Sequence, residues 1–297
     1  MKRKVFEPQL RGKLSLKRRT YAIVLKSLIY IASGITILLL LGIIGYIFYR
    51  GLPNVTWTLL STKRSVLQGT IGILPNIIYT LYTIITSLVI ALPLGVGTAI
   101  YLNEYAGNRN LVRFIEFSTE TLTGIPSIIY GLVGMLFFCQ KLGLKSSILA
   151  GSLTLVIMIL PNIIRTTQEA LKTTPQSYRD GAVALGATKW YTIHTIILPC
   201  TVDGIVSGSI LSVGRIVGES AALLFTAGAG YALVTNFIRA LGTSGGTLSV
   251  MLYVYVSEEG KFDVGFAIAS ILMLLVLILN ISARATKNKL KKVRSEP

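Results

Sequence analysis

The feature that most constrains this chain is a series of apolar runs, nearly free of charged residues, that are long enough to cross a lipid bilayer. A span needs roughly 20 apolar residues, because about 30 Å of hydrocarbon is crossed at about 1.5 Å per residue. Of the 297 residues, 52% are hydrophobic and 14% are charged, so one soluble core could not bury the apolar surface. We therefore predict an all-α, polytopic membrane protein with about six spans, at 27–49, 74–101, 117–139, 146–164, 203–227 and 263–283.

The first run, from Leu28 to Phe48, follows a basic leader and has a signal peptide as its competing interpretation. A signal peptide would have an apolar region of about 7–15 residues and a small-residue cleavage site. We therefore expect this helix to remain in the mature protein. The predicted divisions are a basic cytoplasmic segment (1–26), a first span with its outer loop (27–69), a five-span core (70–283) containing a long loop (165–199), and a basic cytoplasmic tail (284–297).

The net charge of +17 could suggest a nucleic-acid partner, but the position of the basic residues indicates membrane topology instead. With the amino terminus inside, both ends and the loops at 104–113 and 165–199 are cytoplasmic. These segments hold 20 of the 29 Lys and Arg residues, against 7 in the outer segments. The positive-inside rule then predicts both termini in the cytoplasm, an even number of spans, and membrane lipid rather than nucleic acid around the chain.

Several predicted spans contain residues that straight, lipid-facing helices avoid. Pro93 bounds the second span with Pro75, Gly124-Ile125-Pro126 interrupts the third, and Pro161 lies near the end of the fourth. Each proline removes a hydrogen bond that lipid cannot replace, so the freed carbonyls should face protein or water. The fifth span is rich in Gly and Ser, which fits close packing in a bundle or at a partner interface.

The long loop at 165–199 has the pattern of two short helices. Thr174-Pro175 is a helix start, because the hydroxyl caps the first turn and proline has no N–H to lose there. Gly186 can end this helix in a left-handed conformation, and a second helix begins at Thr188 and is ended by Leu198-Pro199. The first helix has three residues on one face: Tyr178, Ala182 and Leu185. The second also has three: Trp190, Ile193 and Ile197.

The spacing within this loop resembles the EAA loop of bacterial ABC importer permeases, which reads acidic-Ala-Ala-x3-Gly-x9-Ile-x-Leu-Pro. Here Asp replaces Glu and Gly replaces the first Ala, and Gly inside a helix costs about 1 kcal/mol relative to Ala. The resemblance implies a type I ABC importer permease fold with cytoplasmic coupling helices that dock into the ATPase. It assigns this coupling to Asp180, Gly181, Ala182, Gly186, Leu198 and Pro199.

The chain carries no Gly-x4-Gly-Lys-Ser/Thr phosphate-binding loop, and Gly242-Thr243-Ser244-Gly245-Gly246 has no following Lys. We therefore expect no enzyme activity, no catalytic residue and no cofactor on this chain, with ATP and Mg²⁺ bound by partner ATPase subunits. Cys139 and Cys200 lack metal-ligand or disulfide spacing, and His194 is the single histidine, so no metal site is predicted.

Three further segments look like the PstA family of phosphate-specific permeases, and the resemblance covers about residues 70–283. They are 102–106, 124–132 and 214–224, with Ser220 where that family usually has Thr. The resemblance implies phosphate import across a bacterial inner membrane by alternating access. It also implies a heterodimer with the sister permease PstC, two PstB ATPase subunits, and the extracytoplasmic phosphate-binding protein PstS.

Arg215 and Glu219 are candidate residues of the substrate pathway within the fifth span. A charged residue at the centre of a spanning helix costs roughly 2.5–3.5 kcal/mol, so it usually faces a cavity or a partner. Their i, i+4 spacing puts them on one face, close enough to pair. Arg215 would attract the anion, and Glu219 would partly neutralise it; the alternative is a purely structural ion pair.

Other classes of protein fit the sequence less well. A permease for sulfate or molybdate would share the loop but not the charged fifth span. A secondary transporter predicts inverted repeats and carboxylates at midplane in both halves, and we find neither. A membrane enzyme would need a nucleophile, a base and metal ligands that converge, and no such set is evident in the sequence.

Overall fold

The structure, a computed structural model, describes residues 16–65 and 69–295, with side chains for 20–65 and 69–285. Its α-helices are α1 (Leu16–Gly51), α2 (Trp57–Ser61), α3 (Leu74–Ile100), α4 (Arg109–Thr123), α5 (Ser127–Gly134), α6 (Ile148–Thr173), α7 (Gln176–Ala184), α8 (Lys189–Thr192), α9 (Leu198–Gly218), α10 (Ala221–Thr226), α11 (Phe237–Leu241), α12 (Leu248–Tyr253) and α13 (Phe262–Ser295). π-Helical segments occupy Tyr101–Tyr105, Met135–Lys141, Ile193–Ile197 and Val254–Glu258. The strands β1 (Lys63–Ser65) and β2 (Thr70–Ile73) form a short antiparallel hairpin.

The number of membrane-crossing helices agrees with the prediction of about six. Five helical stretches are long and apolar enough to cross a bilayer, and a sixth span is obtained if one sharply bent pair of helices counts as one. The five stretches are Thr20–Asn54, Leu74–Tyr105, Ile148–Thr173, Lys189–Gly218 and Phe262–Ala285, and the bent pair is Arg109–Thr123 with Ser127–Lys141. The fold is therefore that of a polytopic helical membrane protein, as predicted.

The residues up to Tyr49 form a unit of their own, and the residues from Arg50 onward form a second unit. In the first unit, none of the apolar window of α1 is buried. A helix that is hydrophobic all round and unburied needs lipid or another protein against it. This agrees with its assignment as a membrane span.

The third span, predicted at 117–139 with an interruption at Gly124-Ile125-Pro126, is a sharply bent pair of helices. Its two halves, α4 and α5, meet at an angle of 102° around Gly124-Ile125-Pro126, because a residue before proline is kept out of the helical conformation. The Tyr130 hydroxyl donates to the Leu122 carbonyl at 2.6 Å, so a carbonyl freed at the end of α4 faces protein, as expected. By contrast, Pro93 and Pro161 lie inside the continuous helices α3 and α6.

The centre of the second unit is α6, where two thirds (67%) of the apolar window is buried. The fifth-span helix α9 packs closely against it through two glycines. A Cβ on Gly204 would lie 2.3 Å from the Ala170 Cβ, and one on Gly208 would lie 2.1 Å from the Thr166 Oγ1. The small residues of this span therefore permit close packing inside the bundle, which is one of the two uses that the sequence suggested.

Candidate functional site

We call the loop predicted at 165–199 the coupling loop. Its first helix, α7, begins one residue later than predicted. Pro175 precedes it in an extended conformation, whereas the Thr174 hydroxyl donates to the Ala170 carbonyl at 3.4 Å and belongs to the end of α6. Gly186 has a φ of +80°, which is the left-handed conformation predicted for the end of this helix. Glycine is favoured there because a Cβ would strain this backbone conformation.

The second helix starts as predicted, but it does not stop where predicted. Thr188 Oγ1 accepts the N–H of Tyr191 at 3.3 Å, so Thr188 caps α8. The chain then passes through the π-helical segment Ile193–Ile197 into α9, with Leu198-Pro199 in its first turn. A π-helical turn contains one residue more than an α-helical turn. Here it lies just before Pro199, which has no N–H to donate to the helix. One helical rod of 30 residues, Lys189–Gly218, therefore joins the coupling loop to the fifth span.

Large apolar side chains of the coupling loop are exposed. Leu185 is 90% exposed, and Trp190, predicted to lie on one helix face with Ile193 and Ile197, is 66% exposed while those two are buried. An exposed group of this kind is typical of a protein-binding surface. We call it the docking surface, and its members are Tyr178, Val183, Leu185, Trp190 and Tyr191.

Of the predicted coupling residues, some are exposed near the docking surface and others are buried or half-buried behind it. Asp180 is exposed and accepts a hydrogen bond from the Gln176 amide at 3.1 Å, and Gly181 is exposed with open space where a Cβ would lie. Ala182 is only 5% exposed, so it holds α7 against the rest of the unit. Leu198-Pro199 lies half-buried at the start of α9, below the exposed part of the loop.

Arg215 and Glu219 do not form the predicted i, i+4 pair. The helix α9 ends at Gly218, and Glu219 is extended, with φ −79° and ψ 120°. Its carboxylate instead accepts the N–H of Ala222 at 3.0 Å and so caps α10, while its carbonyl accepts the Ser249 hydroxyl at 2.8 Å. The fifth span predicted at 203–227 is therefore broken at Glu219, between Arg215 and the start of α10.

The Arg215 guanidinium is half-buried and lies beside polar groups of neighbouring helices. Tyr130 of α5 lies close enough to Arg215 for the two side chains to interact electrostatically. One turn earlier on α9, the Ser212 hydroxyl accepts a hydrogen bond from the Asn162 amide at 3.2 Å. Among the side chains that the structure describes, none forms a hydrogen bond or an ion pair with Arg215. A guanidinium carries five N–H donors and no acceptor.

Sequence reasoning missed a charged cluster around Arg64, the residue at the middle of β1. Its guanidinium donates to the Tyr231 hydroxyl at 2.8 Å, forms an ion pair with Glu259, and lies 4.6 Å from the centre of the Tyr231 ring. Lys261 pairs with the same carboxylate at 2.9 Å. Burial raises the pKa of Glu259, but hydrogen bonds from Lys261 and Arg64 outweigh it and lower the pKa. We call these four residues the Arg64 cluster.

A second missed pair joins Arg179 of α7 to Glu104, at 2.8 Å between Nη2 and Oε1. The two side chains are 16% and 9% exposed, which makes this the most buried ion pair in the described part of the chain. The partners are 75 positions apart, so no local spacing could indicate the contact. Glu104 lies in a segment that the family resemblance covers, and this was the only signal available.

Comparison with known proteins shows the family to which the chain belongs. Residues 91–292 match the family model described as binding-protein-dependent transport system inner membrane component. The chain is 34% identical over 198 residues to the "Probable ABC transporter permease protein YqgI" of Bacillus subtilis, covering 67% of each chain. It is 31% identical over 289 residues to "Phosphate transport system permease protein PstA 1" of Mycobacterium tuberculosis, covering 94% of this chain and 91% of that protein.

Solved structures show the same fold. A chain of a bacterial alginate ABC transporter has a TM-score of 0.63 at 16% identity, with 93% of this chain and 97% of that chain covered. A chain of the inward-facing MetNI methionine ABC transporter has a TM-score of 0.56 at 20% identity, with 74% and 94% covered. These likenesses show the type I ABC importer permease fold. The chain therefore belongs to the binding-protein-dependent transport system inner membrane component family, in its PstA branch.

Proposed function

We infer that this chain is the transmembrane permease subunit of an ATP-binding-cassette importer that moves inorganic phosphate into the cytoplasm by alternating access. The observation that carries this inference is the rod Lys189–Gly218, which begins in the exposed coupling loop and holds Arg215 in its last turn, without an ion-pair partner among the described side chains. One rigid element thus connects a surface suited to an ATPase with a cation suited to phosphate. The chain itself is not the ATPase.

Closure of the ATPase subunits would move the docking surface, and α8 would carry the movement into α9. From Asp203 to Arg215 the helix rises by about 18 Å at 1.5 Å per residue, which places Arg215 near the middle of a hydrocarbon layer about 30 Å thick. A rotation or tilt of the rod would therefore change which side of the membrane Arg215 faces. This is the requirement of alternating access.

Arg215 fits phosphate because a guanidinium presents paired N–H donors to two oxygens of a tetrahedral anion. Glu219 stays in the proposed pathway as the residue that ends α9 next to Arg215 and starts α10. Since it does not pair with Arg215, its role is to fix the turn rather than to neutralise the cation.

The proposed partners are those of a phosphate importer: the sister permease PstC, two PstB ATPase subunits that bind ATP and Mg²⁺, and the phosphate-binding protein PstS. One solved neighbour with this fold is an ABC transporter in complex with a pentasaccharide-bound periplasmic protein, which supports a partner of that kind. We further propose that the chain lies in a bacterial inner membrane with both termini in the cytoplasm. The excess of basic residues at both ends supports this orientation.

The test is uptake of phosphate by the purified complex in proteoliposomes. We expect uptake that requires ATP and a separate ATPase subunit, that Arg215→Gln abolishes, and that Arg215→Lys lowers, because a lysine keeps the charge without the paired donors. Arg239→Gln is the matched control, since Arg239 is exposed on α11, away from α9. Full uptake by Arg215→Gln contradicts the pathway role, and uptake of sulfate or molybdate in preference to phosphate contradicts the substrate.

A further inference from the structure

Arg179 is held on the inner side of the coupling loop by more bonds than any exposed charge in that loop. Besides the contact with Glu104, its Nη1 donates to the Thr174 carbonyl at 3.1 Å and its Nη2 donates to the Leu171 carbonyl at 3.2 Å. We propose that Arg179 is a positioning residue that transmits movement of the docking surface to α3 and α6. This proposal rests on the proposed function as an ATP-driven permease.

Arg179 attaches α7 to α6, the most buried of the candidate membrane spans. The Leu171 carbonyl lies in the last turn of α6 and accepts the N–H of the cap residue Thr174 at 3.3 Å, which leaves it a second acceptor site, and the Thr174 carbonyl lies just beyond the helix end. Arg179 supplies a donor to each of them, so α7 is attached to the end of α6 by two directional bonds in addition to the chain itself. Such bonds fix rotation as well as distance, whereas apolar contacts alone allow sliding.

Through Glu104, Arg179 also attaches α7 to the end of α3. Glu104 lies in the π-helical segment Tyr101–Tyr105 that continues α3, and the Asn103 amide donates to its carboxylate at 2.8 Å. Lys189, the first residue of α8, places its Nζ 4.9 Å from the centre of the Tyr105 ring. Both helices of the coupling loop therefore contact the same five-residue segment, α7 through Glu104 and α8 through Tyr105.

The Arg179–Glu104 ion pair adds a charged contact to the apolar packing beneath it. A buried apolar cluster already joins the end of α3, α6 and the π-helical segment Ile193–Ile197, and its members include Leu102, Leu171, Ile193 and Ile197 but no residue of α7. The Arg179–Glu104 pair sits beside this cluster with little exposure, so removing one charge would leave the other buried without compensation. The Arg165–Glu169 pair, at 69% and 62% exposure, is solvated and contributes little.

A role in transmission differs from a role in folding by what a substitution changes. If Arg179 only stabilised the fold, its loss would lower the melting temperature and the amount of complex but leave the phosphate moved per ATP unchanged. If it transmits movement, ATP hydrolysis would continue while transport falls. The ratio of phosphate imported to ATP hydrolysed is therefore the readout that separates the two.

The experiment uses the complete complex, purified through this chain and reconstituted in liposomes with its ATPase subunits, its binding protein and inorganic phosphate. We expect Arg179→Gln and Glu104→Gln each to lower phosphate imported per ATP at least fivefold. Arg179→Lys should give an intermediate ratio, because it keeps the charge but cannot make the forked set of bonds. The exposed control Arg165→Gln should keep the wild-type ratio.

Wild-type ratios in both Arg179→Gln and Glu104→Gln would overturn the proposal, as would an unchanged ratio accompanied only by a lower melting temperature. If Arg179→Gln does not assemble, Arg179→Lys decides, and a wild-type ratio in that variant overturns the proposal. If the wild-type complex hydrolyses ATP but imports no phosphate, the proposed function fails and not the role of Arg179 within it.

Discussion

Replacement of Glu219 tests whether this residue acts through its hydrogen bond or through its charge. Its carboxylate accepts the N–H of Ala222, which is fully buried. In Glu219→Ala that N–H loses its acceptor, at a cost of about 1–3 kcal/mol. This corresponds to a roughly 5- to 150-fold change in the folding equilibrium, at about 1.4 kcal/mol per factor of ten. Glu219→Gln keeps an acceptor oxygen and exchanges a charged for a neutral bond, at a cost of about 1 kcal/mol.

The assay is thermal unfolding of the purified complex together with ATP-driven phosphate uptake. We expect the Glu219→Ala complex to melt at a clearly lower temperature, with the Glu219→Gln complex between it and the wild type and still active. Glu120→Ala, at an exposed position of α4, is the matched control and should melt as the wild type does. If Glu219→Gln were as unstable as Glu219→Ala, the hydrogen-bond argument would be refuted and the negative charge itself would be required.

Three further predictions concern the coupling loop, the topology and the Arg64 cluster. Gly186→Trp should detach or uncouple the ATPase while the chain stays in the membrane, because it adds bulk beside the docking surface and strains a left-handed position by about 1–2 kcal/mol; normal uptake would contradict this. A reporter fused after Arg284 should be cytoplasmic and one within 229–262 should be outside, and the reverse at either site excludes six spans with both termini inside. Because the pKa of Glu259 is lowered in the folded chain, its contribution to stability is full above the ordinary carboxyl pKa and is lost as pH falls through the lowered value. The melting temperatures of wild type and Glu259→Gln should therefore converge in that acid range, whereas a constant difference would contradict the assignment.

The sequence predicted the spans and the coupling loop well because both depend on local patterns. Apolar runs indicate membrane helices wherever they occur, and Gly186 and Thr188 sit at helix ends with distinctive backbone requirements. The break at Gly124-Ile125-Pro126 was also visible, since proline restricts its predecessor. Its 102° angle was not, because the angle depends on how α5 packs rather than on the break itself.

The rest of the site depends on contacts between distant parts of the chain. The sequence did not indicate that the helix ends at Gly218, because the apolar run continues through Ala221–Thr226 and these residues form the separate helix α10. Likewise, no local sequence pattern indicates that Arg179 and Glu104 form an ion pair. Predicting either feature would require knowing which helices are neighbours.

The π-helical segment Ile193–Ile197 preserves the rotational phase of the fifth span relative to the coupling loop. Each residue of an α-helix advances about 100° around the axis, and a π-helical turn contains one residue more than an α-helical turn. Deletion of one residue there would let an α-helical turn form and would leave α9 facing nearly the same way, whereas deletion of one residue from α9 before Arg215 would rotate everything beyond it by roughly 100°. Arg215 would then face a different neighbour, although every residue of the docking surface kept its place. The spacing between the loop and Arg215 is thus a matter of angle as much as of length.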